Sequence, residues 1–171
     1  MILDGFWKAE LKQYAQRLKF WGKQRGGIGT YAEHQVNKYL LYSAIVIRKL
    51  MEDEIDAKKQ YKQSTFSTPE LPLFHYDLPV VEYAFNGDKD FILHNVITDY
   101  YNAGNRSVTV EAKTICNSIV HSYIWNLACN NKRIVGFLTA SDYDKEKKLY
   151  FVKLRDWIDC INCFKEKCSV K

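Results

Sequence analysis

Asn117 and His121 are the residues whose types and spacing point most directly to chemistry. They stand four positions apart, so on a helix both side chains project from the same face. A neutral imidazole beside an amide can accept a proton from a ribose hydroxyl, while the amide orients a phosphate. The same two residues can instead satisfy each other's hydrogen bonds inside a helical bundle. The pair therefore has both a catalytic and a structural interpretation.

A row of lysines on the first predicted helix forms a second candidate site. At about 100° per residue, four lysines fall on one face, next to the apolar face of that helix. This lysine stripe consists of Lys8, Lys12, Lys19 and Lys23. Trp7, Phe20 and Trp21 are close to it, and interleaved cations and aromatic rings suit phosphate contacts with base stacking. An ordinary solvated helix face is the alternative interpretation.

The cysteines do not complete a metal-binding motif. Cys160, Cys163 and Cys168 crowd the end of the chain, but a structural zinc site needs four ligands. Packing as small apolar residues is the interpretation we prefer, and metal binding by these three residues stays open. We accordingly predict no metal site and no cofactor.

Two amphipathic helices are predicted in the first third of the chain. Residues 3–23 carry apolar side chains at i, i+4, i+7, i+11 and i+14, which places them on one helix face. Residues 30–57 follow a glycine-rich break, and the middle of this second helix is apolar nearly all round. We expect the two to pack as a helical hairpin over residues 1–57.

The rest of the chain predicts a mixture of elements. Residues 58–106 contain all three prolines and predict an irregular connector with room for a strand. A repeat every four residues predicts one core helix over residues 107–130. This repeat consists of Ile115, Ile119, Tyr123 and Leu127. Two strand-like runs predict a β-hairpin over residues 133–154, followed by a closing helix over residues 155–167.

These elements together predict an α+β fold that is predominantly helical. We expect a single domain over residues 1–171, built as a helical bundle with a C-terminal β-hairpin and a closing helix. Hydrophobic residues make up 47% of the chain, enough for a real core, which argues against intrinsic disorder.

The arrangement of hairpin, spacer and polar-x-x-x-His helix resembles the HEPN superfamily of nucleic-acid-processing and defence-associated domains. The resemblance covers residues 1–130 at most. It implies an RNA-cleaving site formed by two Arg-polar-x-x-x-His motifs, usually from two protomers. Asn117 takes the polar position and His121 the terminal histidine, whereas Cys116 stands where the family has arginine. That arginine stabilises charge in the transition state, so another cation would have to replace it, with Arg48 and Lys113 as candidates.

The charge and the hydropathy pattern favour some partners over others. A net charge of +5 favours an anionic partner such as nucleic acid. The longest apolar run, residues 39–47, is far shorter than the roughly 20 residues of a membrane helix. The start of the chain lacks a signal-peptide pattern. We therefore expect a cytoplasmic protein with reduced thiols and no membrane contact.

Two functions follow from these observations. The first is a HEPN-like, RNA-associated protein, a bacterial defence or toxin–antitoxin component, acting as a metal-independent ribonuclease if a cation replaces the missing arginine. In that case His121 is the general base, Asn117 positions phosphate, and Arg48 or Lys113 supplies charge. The second is a non-enzymatic binding or regulatory module that uses the basic and aromatic surface. A homodimer or a protein partner is compatible with both.

Overall fold

A five-stranded antiparallel sheet organises the protein in the computed structural model, which describes residues 2–24, 29–63, 75–85 and 104–167. The helices found in these ranges are α1 (Ile2–Lys23), α2 (Thr30–Gln63), α3 (Ala112–Val120) and α4 (Leu154–Lys167). The strands are β1 (Asp77–Ala84), β2 (Asn105–Glu111), β3 (Ser122–Asn130), β4 (Arg133–Ser141) and β5 (Lys148–Lys153).

The strand order of the sheet is β2-β1-β5-β4-β3. β1 pairs with β2 on one side and with β5 on the other, where Val81 lies opposite Phe151. β4 pairs with β5, with Phe137 opposite Val152, and with β3. β2 and β3 are consequently the edges among the described strands, and His121 alone separates the end of α3 at Val120 from the start of β3 at Ser122.

Alternation along the strands creates two apolar clusters, one on each face of the sheet. The larger cluster combines all four helices with Phe137 and Val152 of the central strands. Leu138, the neighbour of Phe137, belongs instead to a smaller cluster with Ile124 and Leu149. Because the central strand β4 is buried on both faces, it reads as a nearly continuous apolar run in the sequence.

The predicted helical bundle with a C-terminal hairpin is wrong. The hairpin of residues 133–154 exists as β4 and β5, but these are two strands of a five-stranded sheet. Within the connector predicted for residues 58–106, α2 continues to Gln63 and β1 occupies Asp77–Ala84. β2 begins at Asn105 near the end of that connector, and residues 64–74 and 86–103 lie outside the described residues.

The predicted core helix over residues 107–130 is also wrong. The segment contains the end of β2, then α3, then β3. Residues four apart share a strand face as well as a helix face, so the repeat did not distinguish the two structures. Trp125 and Leu127 face the larger cluster from β3 while Ile124 faces the smaller one, which is the alternation of a strand.

The two N-terminal helices are present and pack antiparallel. Trp21 contacts Tyr31 near one end, and Tyr14 contacts Tyr39 further along. Residues later in α1 thus contact residues earlier in α2, which is the contact pattern of an antiparallel helical hairpin. α4 then packs against α1 and against the sheet, in the place of the predicted closing helix.

Trp157 of α4 connects the helical layer to the sheet. Its ring is fully buried and meets Phe137 of β4 edge-on, with 5.9 Å between ring centroids. Its indole Nε1–H donates to the hydroxyl of Ser43 on α2 at 3.0 Å, and that hydroxyl donates to the Leu40 carbonyl at 2.9 Å. One side chain thereby fixes α2 and α4 relative to β4.

Replacing Ser43 with alanine should destabilise the protein by about 1–3 kcal/mol, because the buried Trp157 N–H loses its acceptor. Denaturant unfolding followed by circular dichroism measures the change. In the double variant with Trp157→Phe, the cost should be smaller than the sum of the single changes. Ser107→Ala on the exposed edge strand is the matched control, and an equally small effect at Ser43 would contradict this role.

Candidate functional site

His121 terminates α3 and is held by its own backbone. It is the C-cap residue, with φ −110° and ψ 35°. Its N–H donates to the Asn117 carbonyl at 2.9 Å, and its carbonyl accepts from the Asp142 N–H at 3.1 Å. The imidazole is exposed, so the backbone is fixed while the ring faces solvent.

Arg48 of α2 reaches the His121 ring. Its Nη1 lies 3.1 Å from Nε2 of the imidazole. A guanidinium can only donate, so Nε2 is the acceptor and Nδ1 carries the ring proton. Arg48 Nε also donates to Glu52 Oε1 at 2.8 Å, and one third of the Arg48 side chain is exposed. The guanidinium is thus oriented by hydrogen bonds to His121 and Glu52, and it remains accessible to a ligand.

Cys116, at the position of the family's arginine, is a buried thiol. It is fully buried in the larger apolar cluster. Burial raises its pKa well above the ordinary thiol range, and the opposing effect of the positive charge on Arg48 is smaller. The thiol therefore stays protonated at neutral pH and is a packing residue rather than a nucleophile.

The predicted catalytic residues differ in whether and how they contact His121. It brings Arg48 and His121 together, although 73 positions separate them. Asn117 is half-buried and reaches His121 through its backbone carbonyl. No hydrogen bond joins the described side chains of Asn117 and His121, and none joins Lys113 to His121. The catalytic roles of all these residues stay predictions.

A concave region, the basic groove, lies between α1 and α4 beside the start of β4 and the end of β5. Its volume is about 840 Å³, and its floor is apolar, with Ile134, Leu154 and Ile158. Its basic lining residues are Lys12, Lys19, Lys23, Lys153, Arg155 and Lys165, with Asp159 as the acidic one.

Gly22 allows the helices below this groove to approach closely. A Cβ at this position would lie 2.8 Å from Leu154 Cδ2, so a larger side chain would require the Leu154 side chain to shift. The α1 cations and the α4 cations line the groove together. Around it, Lys153 is exposed and Arg155 is 90% exposed at its side chain.

The groove includes most of the predicted lysine stripe and adds residues that the sequence analysis missed. Lys12, Lys19 and Lys23 line it, whereas Lys8 does not. The facing cations lie on β5 and α4, about 130 positions away from α1 in the chain. The polar face of the closing helix was the only local signal for them.

The basic groove and the Arg48–His121 pair are separate sites. The groove touches β4 at Ile134 and Val135, whereas Ser141 at the other end of β4 pairs with Ser122, the residue after His121. Six residues of antiparallel strand span about 20 Å. A ligand in the groove therefore does not reach His121 unless it is long.

The described cysteines and helices add neither a metal centre nor a membrane span. In the described part of the chain, no cluster of three or more His, Cys, Asp and Glu residues is arranged to hold a metal ion. Cys160 is buried and Cys163 is half-buried, while Cys168 lies outside the described residues. Of the helices within the described ranges, none combines the length and apolarity that crossing a bilayer requires.

Comparison of the chain with protein-family models, with curated proteins and with solved structures gives no match.

Proposed function

We propose that the protein binds single-stranded nucleic acid in the basic groove. The observation that carries the proposal is the pair of facing cation rows, from α1 on one side and from β5 and α4 on the other. Six basic residues against one acid give the groove the charge that phosphates require. A double-sided row can follow a backbone along the groove.

The apolar floor favours a single strand over a duplex. Ile134, Leu154 and Ile158 offer no hydrogen-bonding side chains, whereas Phe151 adds an aromatic ring to the lining. Unpaired bases expose apolar faces that pack on such surfaces, while a duplex hides them in its stack.

Neutralising the α1 side of the groove should weaken binding of a single-stranded oligonucleotide roughly tenfold or more, because three phosphate contacts are lost. Fluorescence anisotropy over a range of salt concentrations measures this for the Lys12, Lys19, Lys23→Gln variant. The slope of log K against log salt should fall by about 2. The Lys153, Arg155, Lys165→Gln variant should show the same loss from the opposite side.

A variant of equal charge change outside the groove serves as the control. Lys113, Lys132 and Lys147→Gln should bind almost as tightly as the natural protein. Equal weakening by this variant would show that net charge rather than the groove drives binding. An α1 effect without an α4 effect would assign binding to the lysine stripe alone.

We propose a second candidate function, cleavage of RNA at the Arg48–His121 pair, which is the chemistry that the HEPN resemblance implies. The 3.1 Å contact between Arg48 Nη1 and His121 Nε2 favours it, since a cation stands beside the predicted base. When phosphate binds, the Arg48 Nη1–H donates to a phosphate oxygen instead of to His121. Nε2 of His121 then no longer accepts a hydrogen bond. Nε2 then takes the proton of the 2′-hydroxyl as its oxygen attacks phosphorus. The bond from phosphorus to the 5′-oxygen breaks, a 2′,3′-cyclic phosphate forms, and the departing 5′-oxygen takes a proton from water.

His121→Ala should lower cleavage of an RNA oligonucleotide by roughly 10²–10⁴-fold, because the general base is lost. Arg48→Ala should also abolish most activity, and a DNA strand of the same sequence should resist cleavage for lack of a 2′-hydroxyl. A quenched fluorescent substrate in the presence of a chelator gives the rates. His75→Ala, at an exposed histidine near β1, is the matched control. No cleavage by the natural protein, or full cleavage by His121→Ala, would refute this function.

A further inference from the structure

Another concave region, the Trp125 pocket, lies between α2 and the first half of β3. Its volume is about 470 Å³, within the range of small-ligand sites. Leu41 and Tyr42 form the apolar part of its α2 side, and Trp125 lines it from β3. His34, Asn37, Lys38 and Ser122 supply the polar groups. None of the sites described above uses these side chains.

The aromatic wall of this pocket is fixed before any ligand arrives. The Trp125 indole Nε1–H donates to Asn37 Oδ1 at 2.8 Å. Its ring stacks on Phe137, with 5.3 Å between centroids and 30° between planes. A ring held by a hydrogen bond on its edge and by a neighbour on its face loses little freedom on binding. Such a wall suits a planar ligand.

The polar groups select a ligand with acceptors and negative charge. The bond from Trp125 occupies Asn37 Oδ1, so the amide nitrogen of Asn37 is left to donate. The Ser122 hydroxyl adds a second donor, and Lys38 is an exposed cation at the rim. A planar ring with hydrogen-bond acceptors and an attached phosphate matches this set, which describes a nucleotide.

The position of the pocket connects it to the Arg48–His121 pair. Ile119 and Ser122 line the pocket and flank His121 in the chain. On α2, Tyr42 precedes Arg48 by six residues, about 9 Å along the helix axis. The pocket therefore lies less than two turns of α2 away from the Arg48–His121 pair.

We propose that the Trp125 pocket binds one unpaired nucleobase of an RNA strand, with one of the two phosphates that flank this nucleotide near Lys38 and the other at the Arg48–His121 pair. The inference rests on the cleavage function, for which it names the substrate-recognition site. It gives that site a nucleobase specificity that the arginine and histidine alone do not provide.

The indole N–H resonance of Trp125 tests the pocket directly. The chain has four tryptophans, and Trp125→Phe assigns the resonance in a proton–nitrogen correlation spectrum. The His121→Ala variant is titrated with uridine monophosphate, adenosine monophosphate and ribose 5-phosphate. At least one nucleotide should shift the resonance, whereas ribose 5-phosphate at the same concentration should not. The same titration with a short single-stranded oligonucleotide shows whether a base within a strand binds in the pocket more tightly than a free nucleotide.

Matched variants separate the pocket from the basic groove. Tyr42→Ala and Lys38→Ala change exposed side chains and should each weaken nucleotide binding roughly fivefold or more, through lost stacking or lost phosphate contact. Lys12→Ala, in the groove, should leave it unchanged. An unmoved Trp125 resonance with every nucleotide and oligonucleotide would overturn the proposal, as would an equal shift with ribose 5-phosphate.

The readout also separates this inference from the cleavage function. Nucleotide binding at Trp125 without RNA cleavage by the natural protein would refute cleavage and retain the pocket. RNA cleavage with no shift of the Trp125 resonance would refute the nucleobase pocket and retain the cleavage function.

Discussion

The hydrogen bond from Trp157 to Ser43 is the interaction on which the arrangement of the sites depends. It joins α4 to α2 within the buried core, while the same indole ring packs on Phe137 of the sheet. Because the donor is buried, no water replaces the Ser43 acceptor, and α2 is held in one rotation about its axis. The rotation of α2 then determines what its exposed side chains meet.

Two further polar contacts follow from that position of α2. Asn37 lies one and a half turns before Ser43 and accepts from Trp125 of β3, whereas Arg48 lies a similar distance after it and donates to His121. The three contacts span about 16 Å of helix. They fix α2 along the edge of the sheet, so the Trp125 pocket and the Arg48–His121 pair form neighbouring parts of one surface.

How much of this the sequence predicts depends on how local each signal is. α1 and α2 follow from apolar periodicity within single segments, whereas the sheet depends on pairings such as Val81 with Phe151, which no local pattern encodes. The change from helix to strand at His121 has no glycine or proline to mark it, and a four-residue repeat suits both structures. Arg48 was predictable as a candidate cation, but its approach to His121 required the docking of α2. The second side of the basic groove was beyond prediction for the same reason, because Arg155 and Lys165 come from the other end of the chain.

We propose that a single strand of nucleic acid lies between α1 and α4, about 20 Å along β4 from His121. Backbone amide shifts during titration with a short single-stranded RNA test this placement. Saturable shifts should include both sides of the groove, around Lys19 on α1 and Arg155 on α4. Saturable binding of the strand that leaves these amides unmoved would contradict it.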